Sequence, residues 1–564
     1  MGIFKYSLKI IVQIIFVIII FSTLNAKNLD KFNKADQVSD YFSGILLLND
    51  NQYNESFKYL TRLNGLEESH INYSTKYLYS LVNSGNFNEA FNYSRKLEKQ
   101  KLASFESYFI TGIFYLKNSN IALAKKYFLK AKNIDSRFIL NNYVSNSLYN
   151  WSSYKNNDIN YALLELNKLD KRFENLNKIQ NVFINCYHDS STTSELFVKL
   201  KSDKKIDFSR YNYFHASYAV SSNKIDEAKK IVQSALNIYP RNLLLNQYKI
   251  DLNEFKNIDA FNCKKENHVV AEILYITANA LSSQSIYPIS NFYLNLAKFL
   301  NKNFYSFDIL LAENFYKTEN FEDTKKIYKD LSKRGEAFKW YSTKQLARLF
   351  TKEEKKEEAI KLTSNVYKNL NKKEVYETFD FAEFLKNNEK FKEAIFYYSK
   401  VLDSIKKSHP LYSEATDGRG VSYERIGEWD KAEKDLLSSL KVDPNQAYVI
   451  NYLAYSWIEK SIKIEKSLNM LEKANKLRSN DPFIIDSLGW ALFKLERYEE
   501  SKKYLQMAVK LMPGDPIVND HYGDVLWKNG NELQARYYWN YVLNLEKTKT
   551  DLKKTIDKKL IKGL

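Results

Sequence analysis

Residues able to do chemistry are scattered, not gathered, along this 564-residue chain. The six histidines, His70, His188, His215, His268, His409 and His521, form no HExxH pair, and no Cys or His cluster has metal-site spacing. There is no GxSxG elbow and no glycine-rich loop after a strand, so no catalytic residue, cofactor or metal is expected. His521 stands beside Asp520 and near Asp524, a setting for acid–base or metal chemistry, but a lone histidine on a helix more often packs or hydrogen-bonds. What recurs is a binding pattern. Asp417, Asn451, Asp486 and Asp520 follow one another at 34 or 35 residues. Tyr448, Phe483 and Ile517 precede three of them; Tyr455, Trp490 and Asp524 follow at a fixed distance, and Trp527 lies one turn beyond Asp524. Asn and Asp can hold a peptide backbone or a basic side chain, and aromatics supply buried area at small entropic cost. The same row could instead hydrogen-bond from one element to the next, with Tyr455 and Trp490 as core. The residue types leave both readings open.

The elements that must position this row repeat with the same period. Gly44 is followed twelve residues later by Ser56, Gly112 by Ala124, Ala216 by Ala228, Ala382 by Ala394, Gly420 by Ala432, Gly489 by Ser501 and Gly523 by Ala535. With Gly44 as position 8, repeats begin at Gln37, Ile71, Phe105, Ser209, Ala271, Tyr305, Trp340, Val375, Ser413, Ala447, Pro482 and Pro516. Such a period is that of a helix–turn–helix unit. Position 8 falls midway along the first helix and position 20 early in the second, where two helices approach closely only if both side chains are small. Large apolar residues at positions 11 and 24 surround that contact. Gly85, Gly427 and Gly530 at position 15 end a helix with φ > 0, and Pro240, Pro444 and Pro513 at position 32 stop the second helix.

This pattern resembles the tetratricopeptide repeat, from Gln37 to about Glu546 and most clearly in DSLGWALFKLERYEESKKYLQMAVKLMPGDP and its neighbours. The resemblance implies an all-α fold: a right-handed α-solenoid of stacked hairpins in which each repeat packs on its neighbours, closed by a C-terminal capping helix. It also implies that positions 2, 5, 9 and 12 of the first helices line a groove. The candidate groove residues are Asp417, Tyr448, Asn451, Tyr455, Phe483, Asp486, Trp490, Asp520, Asp524 and Trp527. The clamp with which some relatives grip a partner's C-terminus needs paired Asn and Lys or Arg, and acids and aromatics stand there instead. The C-terminal repeats look like those of periplasmic adaptors of Gram-negative bacteria, which implies a non-enzymatic scaffold for envelope proteins, such as a protease or an assembly factor. The alternative from another class is a periplasmic subunit of exopolysaccharide export.

Along the chain, residues 1–26 read as a secretory signal: Lys5 and Lys9, an apolar stretch from Ile10 to Leu24, and Ala26 before the expected cleavage. Left uncleaved, the same segment would be a membrane anchor. Residues 37–138 are regular repeats, 139–208 a divergent helical stretch with a loop over Asp189 to Ser194, 209–412 central repeats, 413–546 the clearest repeats, and 547–564 a basic tail. That tail is expected to cap the array, with binding to a membrane surface as the alternative. Net charge is +18, or +16 without Lys5 and Lys9. Its lysines alternate with acids on helix faces, as in TKEEKKEEAIKL, so no nucleic-acid role is expected. The two cysteines, Cys186 and Cys263, are expected to be buried thiols, although an oxidising compartment permits a disulfide.

Overall fold

The computed structural model describes residues 35–134, 139–155, 157–202 and 206–564, so the expected secretory segment lies outside the described residues. Among those residues there are 30 α-helices and no strand. The repeat register is written in the backbone. Position 15 is left-handed in all twelve repeats, at Asn51, Gly85, Ser119, Asn223, Ser285, Glu319, Glu354, Glu389, Gly427, Ser461, Glu496 and Gly530. One turn therefore joins first to second helix throughout, whether or not the sequence offers glycine there.

The small residue at position 8 answers chiefly to position 24. A Cβ on Gly489 would stand 2.7 Å from Leu505, and one on Gly523 would stand 2.5 Å from the Trp539 indole. Position 20 meets the same place through the backbone: the hydroxyls of Ser56, Ser290 and Ser501 donate to the carbonyls of Gly44, Ala278 and Gly489 at 2.7–2.8 Å. A small side chain at position 20 thus lets the helices close, and a serine adds a hydrogen bond to the closure.

The chain divides into two compact bodies, one ending at Leu362 and the other spanning Thr363–Leu564. In the first, the expectation that each repeat packs only on its neighbours fails. Helix Tyr287–Leu300 lies against the first helices Ile71–Asn83 and Phe105–Lys117, and Glu266–Ser283 lies against Ile139–Tyr154. The cause is an aromatic face: Phe292 meets Tyr79 at 4.8 Å, Phe299 meets Phe87 at 4.3 Å, and Tyr293 meets Phe109 at 6.0 Å. Buried amides fix the register, with Asn291 Nδ2 donating to the Tyr53 hydroxyl (2.7 Å) and Asn314 Nδ2 to Asn291 Oδ1 (2.8 Å). The first helices of the N-terminal repeats are therefore covered by this chain itself.

Two further ties hold this body. Arg210 donates two hydrogen bonds to Glu272, both 2.8 Å, with its guanidinium 3.9 Å from the Tyr275 ring. Cys186 and Cys263 are joined in a disulfide, Cα atoms 6.0 Å apart, which corrects the expectation of two free thiols. Their sequence separation of 77 residues hid the pairing; helix Glu174–Tyr187 and the loop before Glu266–Ser283 bring them together. The second body is a run of hairpins ending with Pro482–Lys494/Tyr498–Leu511, Pro516–Lys528/Glu532–Asn544 and a final helix, Thr550–Lys562.

Candidate partner-binding face

The last two first helices of the second body are started by short polar signals. Asp481 accepts from the backbone N–H groups of Phe483 and Ile484, and Asp515 from those of Ile517 and Val518, with Pro482 and Pro516 in the first turns. This aligns equivalent residues on successive helices, since Ala447–Glu459 touches Pro482–Lys494, which touches Pro516–Lys528.

At position 2, Tyr448, Phe483 and Ile517 are 53%, 55% and 43% exposed. Tyr448 is fixed all the same: its hydroxyl donates to Asp481 (2.8 Å) and the Arg478 guanidinium lies 4.7 Å from its ring. The three form an apolar ladder on adjacent helices. Tetratricopeptide repeat is the description of the family model that matches residues 298–548. Residues 298–548 form a tetratricopeptide repeat array. A TPR repeat-containing protein of Pseudomonas aeruginosa is 29% identical over 76 residues, a stretch covering 14% of this chain and 13% of that protein. Among solved structures, MamA from Desulfovibrio magneticus RS-1 is 18% identical at a TM-score of 0.27, over 31% of this chain and 97% of that one. Pseudomonas aeruginosa PilF is 17% identical at 0.28, over 33% of this chain and 83% of that one.

Within this tetratricopeptide array the row at position 5 works partly between repeats. Asp486 is buried and accepts from His521 Nδ1 of the next repeat at 3.0 Å. The His521 ring stacks on Trp490, centroids 3.9 Å apart and 11° from parallel. Burial disfavours the charged ring, but Asp486, Asp520 and Asp524 outweigh it and raise the imidazole above its ordinary value. Trp490 is buried too: it donates from Nε1 to Glu459 (2.7 Å) and stacks on Phe493. Tyr455 is half-buried beside His521.

Asp520 and Asp524 are buried at the end of the array and both accept from Lys559 Nζ, at 2.6 and 2.7 Å. Asp524 also accepts from Trp539 Nε1 at 2.9 Å. Burial and then Asp520 push the Asp524 carboxyl up to about 6, against the pull of Lys559. Trp527 packs on Trp539, with Arg536 5.1 Å from its ring. The final helix thus inserts a lysine where a next repeat would stand. It also buries Ile556 completely and half-buries Leu552 and Leu560, so the apolar face that a membrane would take is directed inward.

Two predicted positions remain open. Asn451 is half-buried, and its Oδ1 is buried without a hydrogen-bond partner. Asp417, half-buried on Leu411–Arg425, is pushed up to about 6 by burial, with Glu383 and Glu414 adding and Lys386 opposing. The structure therefore gathers Tyr455, Asp486, Trp490, Asp520 and Asp524 into one inter-repeat network. Tyr448 and Phe483 stay at its edge, Trp527 joins the cap, and Asp417 lies two first helices before Asp486. Sequence reasoning passed over Lys559 as a site residue. Ile517 shares position 2 with Tyr448 and Phe483, and the period finds it there, whereas nothing local marks Lys559 among its neighbouring lysines.

Proposed function

We propose that this protein is a non-enzymatic scaffold that holds a partner protein on the first-helix face of its C-terminal repeats. The observation that carries the reading is the ladder of Tyr448, Phe483 and Ile517, one large apolar side chain exposed at the same position of three successive repeats. Burying such side chains yields roughly 1.5–3 kcal/mol each. The half-buried Asp417 carboxyl offers an acceptor for backbone or basic donors of the partner. In this reading the partner is an envelope protein, a protease or an assembly factor, and the scaffold is exported to the periplasm. The N-terminal Lys5–Lys9 and apolar pattern supports export, and so does the Cys186–Cys263 bond, because disulfides persist in oxidising compartments.

The test is capture from envelope extracts by the purified chain and by Tyr448→Ala/Phe483→Ala/Ile517→Ala. These residues are exposed, so the variant should fold as the parent does by circular dichroism. Trp490→Ala would not serve, since that ring is core. Loss of a specific protein from the triple variant, by at least about tenfold in affinity, is expected. Equal capture by both would remove the ladder as the site. Binding of purified protein to polysaccharide with no protein captured would move the reading to polymer export.

A further inference from the structure

The end of the divergent stretch borders a cavity shared with the next hairpin. The last helix of that stretch, Thr193–Lys201, has nine residues, whereas Ile225–Ile238 in the next hairpin has 14. At about 1.5 Å per residue the short helix ends roughly 7 Å early. The expected loop over Asp189 to Ser194 is shorter than the sequence implied, because the helix already begins at Thr193. A cavity of about 350 Å³ remains between Val198 and Lys201, Asn212 and His215, and the face of Ile225–Ile238 from Glu227 to Ile238. That is room for roughly a dozen atoms the size of water.

The polar end of this cavity is unusual. Lys201 Nζ lies 3.0 Å from His215 Nδ1, and His215 Nε2 lies 2.8 Å from Ser194 Oγ. Burial pushes the Lys201 amine down to about 8. Burial, and then the charge of Lys201, pushes the buried His215 imidazole down to about 3. His215 is therefore neutral at pH 7 and Lys201 is mainly charged. The ammonium donates to Nδ1, so the ring proton sits on Nε2 and points to Ser194, whose hydroxyl gains no base. Two ammonium protons are left, and among the described residues no carboxylate pairs with Lys201. Glu227, at the cavity wall, instead faces Lys224 at 3.6 Å. Among the described residues this half-buried cation faces only a neutral ring and no counter-charge.

The opposite wall is apolar: Ile231, Ala235 and Ile238, with Ile238 71% exposed at the rim. Lys230 is exposed at the same opening. We propose that this cavity binds an amphipathic carboxylate, its anion taken by the Lys201 ammonium and its apolar body lying along Ile231, Ala235 and Ile238. A phosphate dianion fits less well, since Glu227 borders the site and a single half-buried ammonium faces it. A free acid and the C-terminus of an apolar peptide share this chemistry.

The full chain is titrated with octanoate, octanamide, and a short peptide ending in Ile-Leu with a free or an amidated terminus. Binding is followed by calorimetry and by acetylation of individual lysines at pH 8, read by mass spectrometry. Lys201 is expected to be acetylated several-fold faster than exposed lysines, and a bound carboxylate to slow that at least tenfold. Protection by octanoate alone assigns a free acid, and protection by the free peptide alone assigns a chain terminus; either supports the site. Protection by neither, or equal protection by the uncharged amides, overturns it. Lys201→Met should lose carboxylate binding at least tenfold by calorimetry. Should that variant unfold, Ser234→Trp, at an exposed position on the lining, should block binding while leaving the fold intact; unchanged binding there also overturns the proposal.

Discussion

At the scale of single residues, the turn at position 15 shows how a repeat constrains chemistry. Seven of its twelve occupants are neither Gly nor Asn, yet each holds φ between 55° and 62°: Ser119, Ser285, Glu319, Glu354, Glu389, Ser461 and Glu496. A left-handed residue with a Cβ costs roughly 1 kcal/mol. Glu496 is exposed, and its backbone N–H already bonds to the Phe493 carbonyl, so its side chain contributes little. Glu496→Gly is expected to raise the unfolding free energy of the second body by up to about 1 kcal/mol, read as a higher urea midpoint at unchanged slope. Gly530→Ala, at φ 77°, should lower it by a similar amount. Equal midpoints for both variants would mean that the turn carries no strain.

At the scale of elements, the last helix decides whether the array is closed. Thr550–Lys562 has 13 residues, too few to be stable alone, so its order comes from Ile556 and from Lys559 between Asp520 and Asp524. Lys559→Met keeps the stem but leaves two buried carboxyls facing each other. It is expected to cost about 2–4 kcal/mol at pH 7.5 and less at pH 5, where one carboxyl takes up a proton; a cost independent of pH in thermal melts would refute the pairing. The existence of such elements was legible from the sequence, because small residues at positions 8 and 20 and the glycines at 15 repeat with them. The covering of the N-terminal first helices by Tyr287–Leu300 was not. Phe292, Tyr293 and Phe299 look like the core residues of any repeat, and periodicity says which face is apolar but not what it meets. The ladder was legible as a row but not as a surface: the period aligned Tyr448, Phe483 and Ile517, but only exposure separated them from Trp490, whose spacing is the same. His215 and Lys201 carried no signal, since their meeting depends on a helix ending early.

At the scale of the whole molecule, the two bodies carry different titrations. In the second body the resolved shifts between pH 5 and 8 share one sign. His521 is raised, and Asp417 and Asp524 are raised to about 6. The folded state therefore holds more protons than the unfolded chain, from the raised His521 value down towards the ordinary carboxylate range. Stability falls as pH rises through those values and is regained on mild acidification, by about 1 kcal/mol per carboxyl between pH 7.5 and 5. In the first body the shifts oppose one another. Burial lowers His215 to about 3 and His268 to about 4, which removes stability below pH 6.5, while burial raises Asp251 to about 6, which adds it. Tryptophan can separate the two, because Trp429, Trp457, Trp490, Trp527 and Trp539 lie in the second body and only Trp151 and Trp340 in the first. The tryptophan-detected melting temperature is expected to rise between pH 7.5 and 5, and Asp417→Asn should flatten part of that rise. A midpoint that falls over this window, in parent and variant alike, would show that the buried carboxyls of the C-terminal repeats remain charged in the folded protein and that the network around His521 is held by different groups.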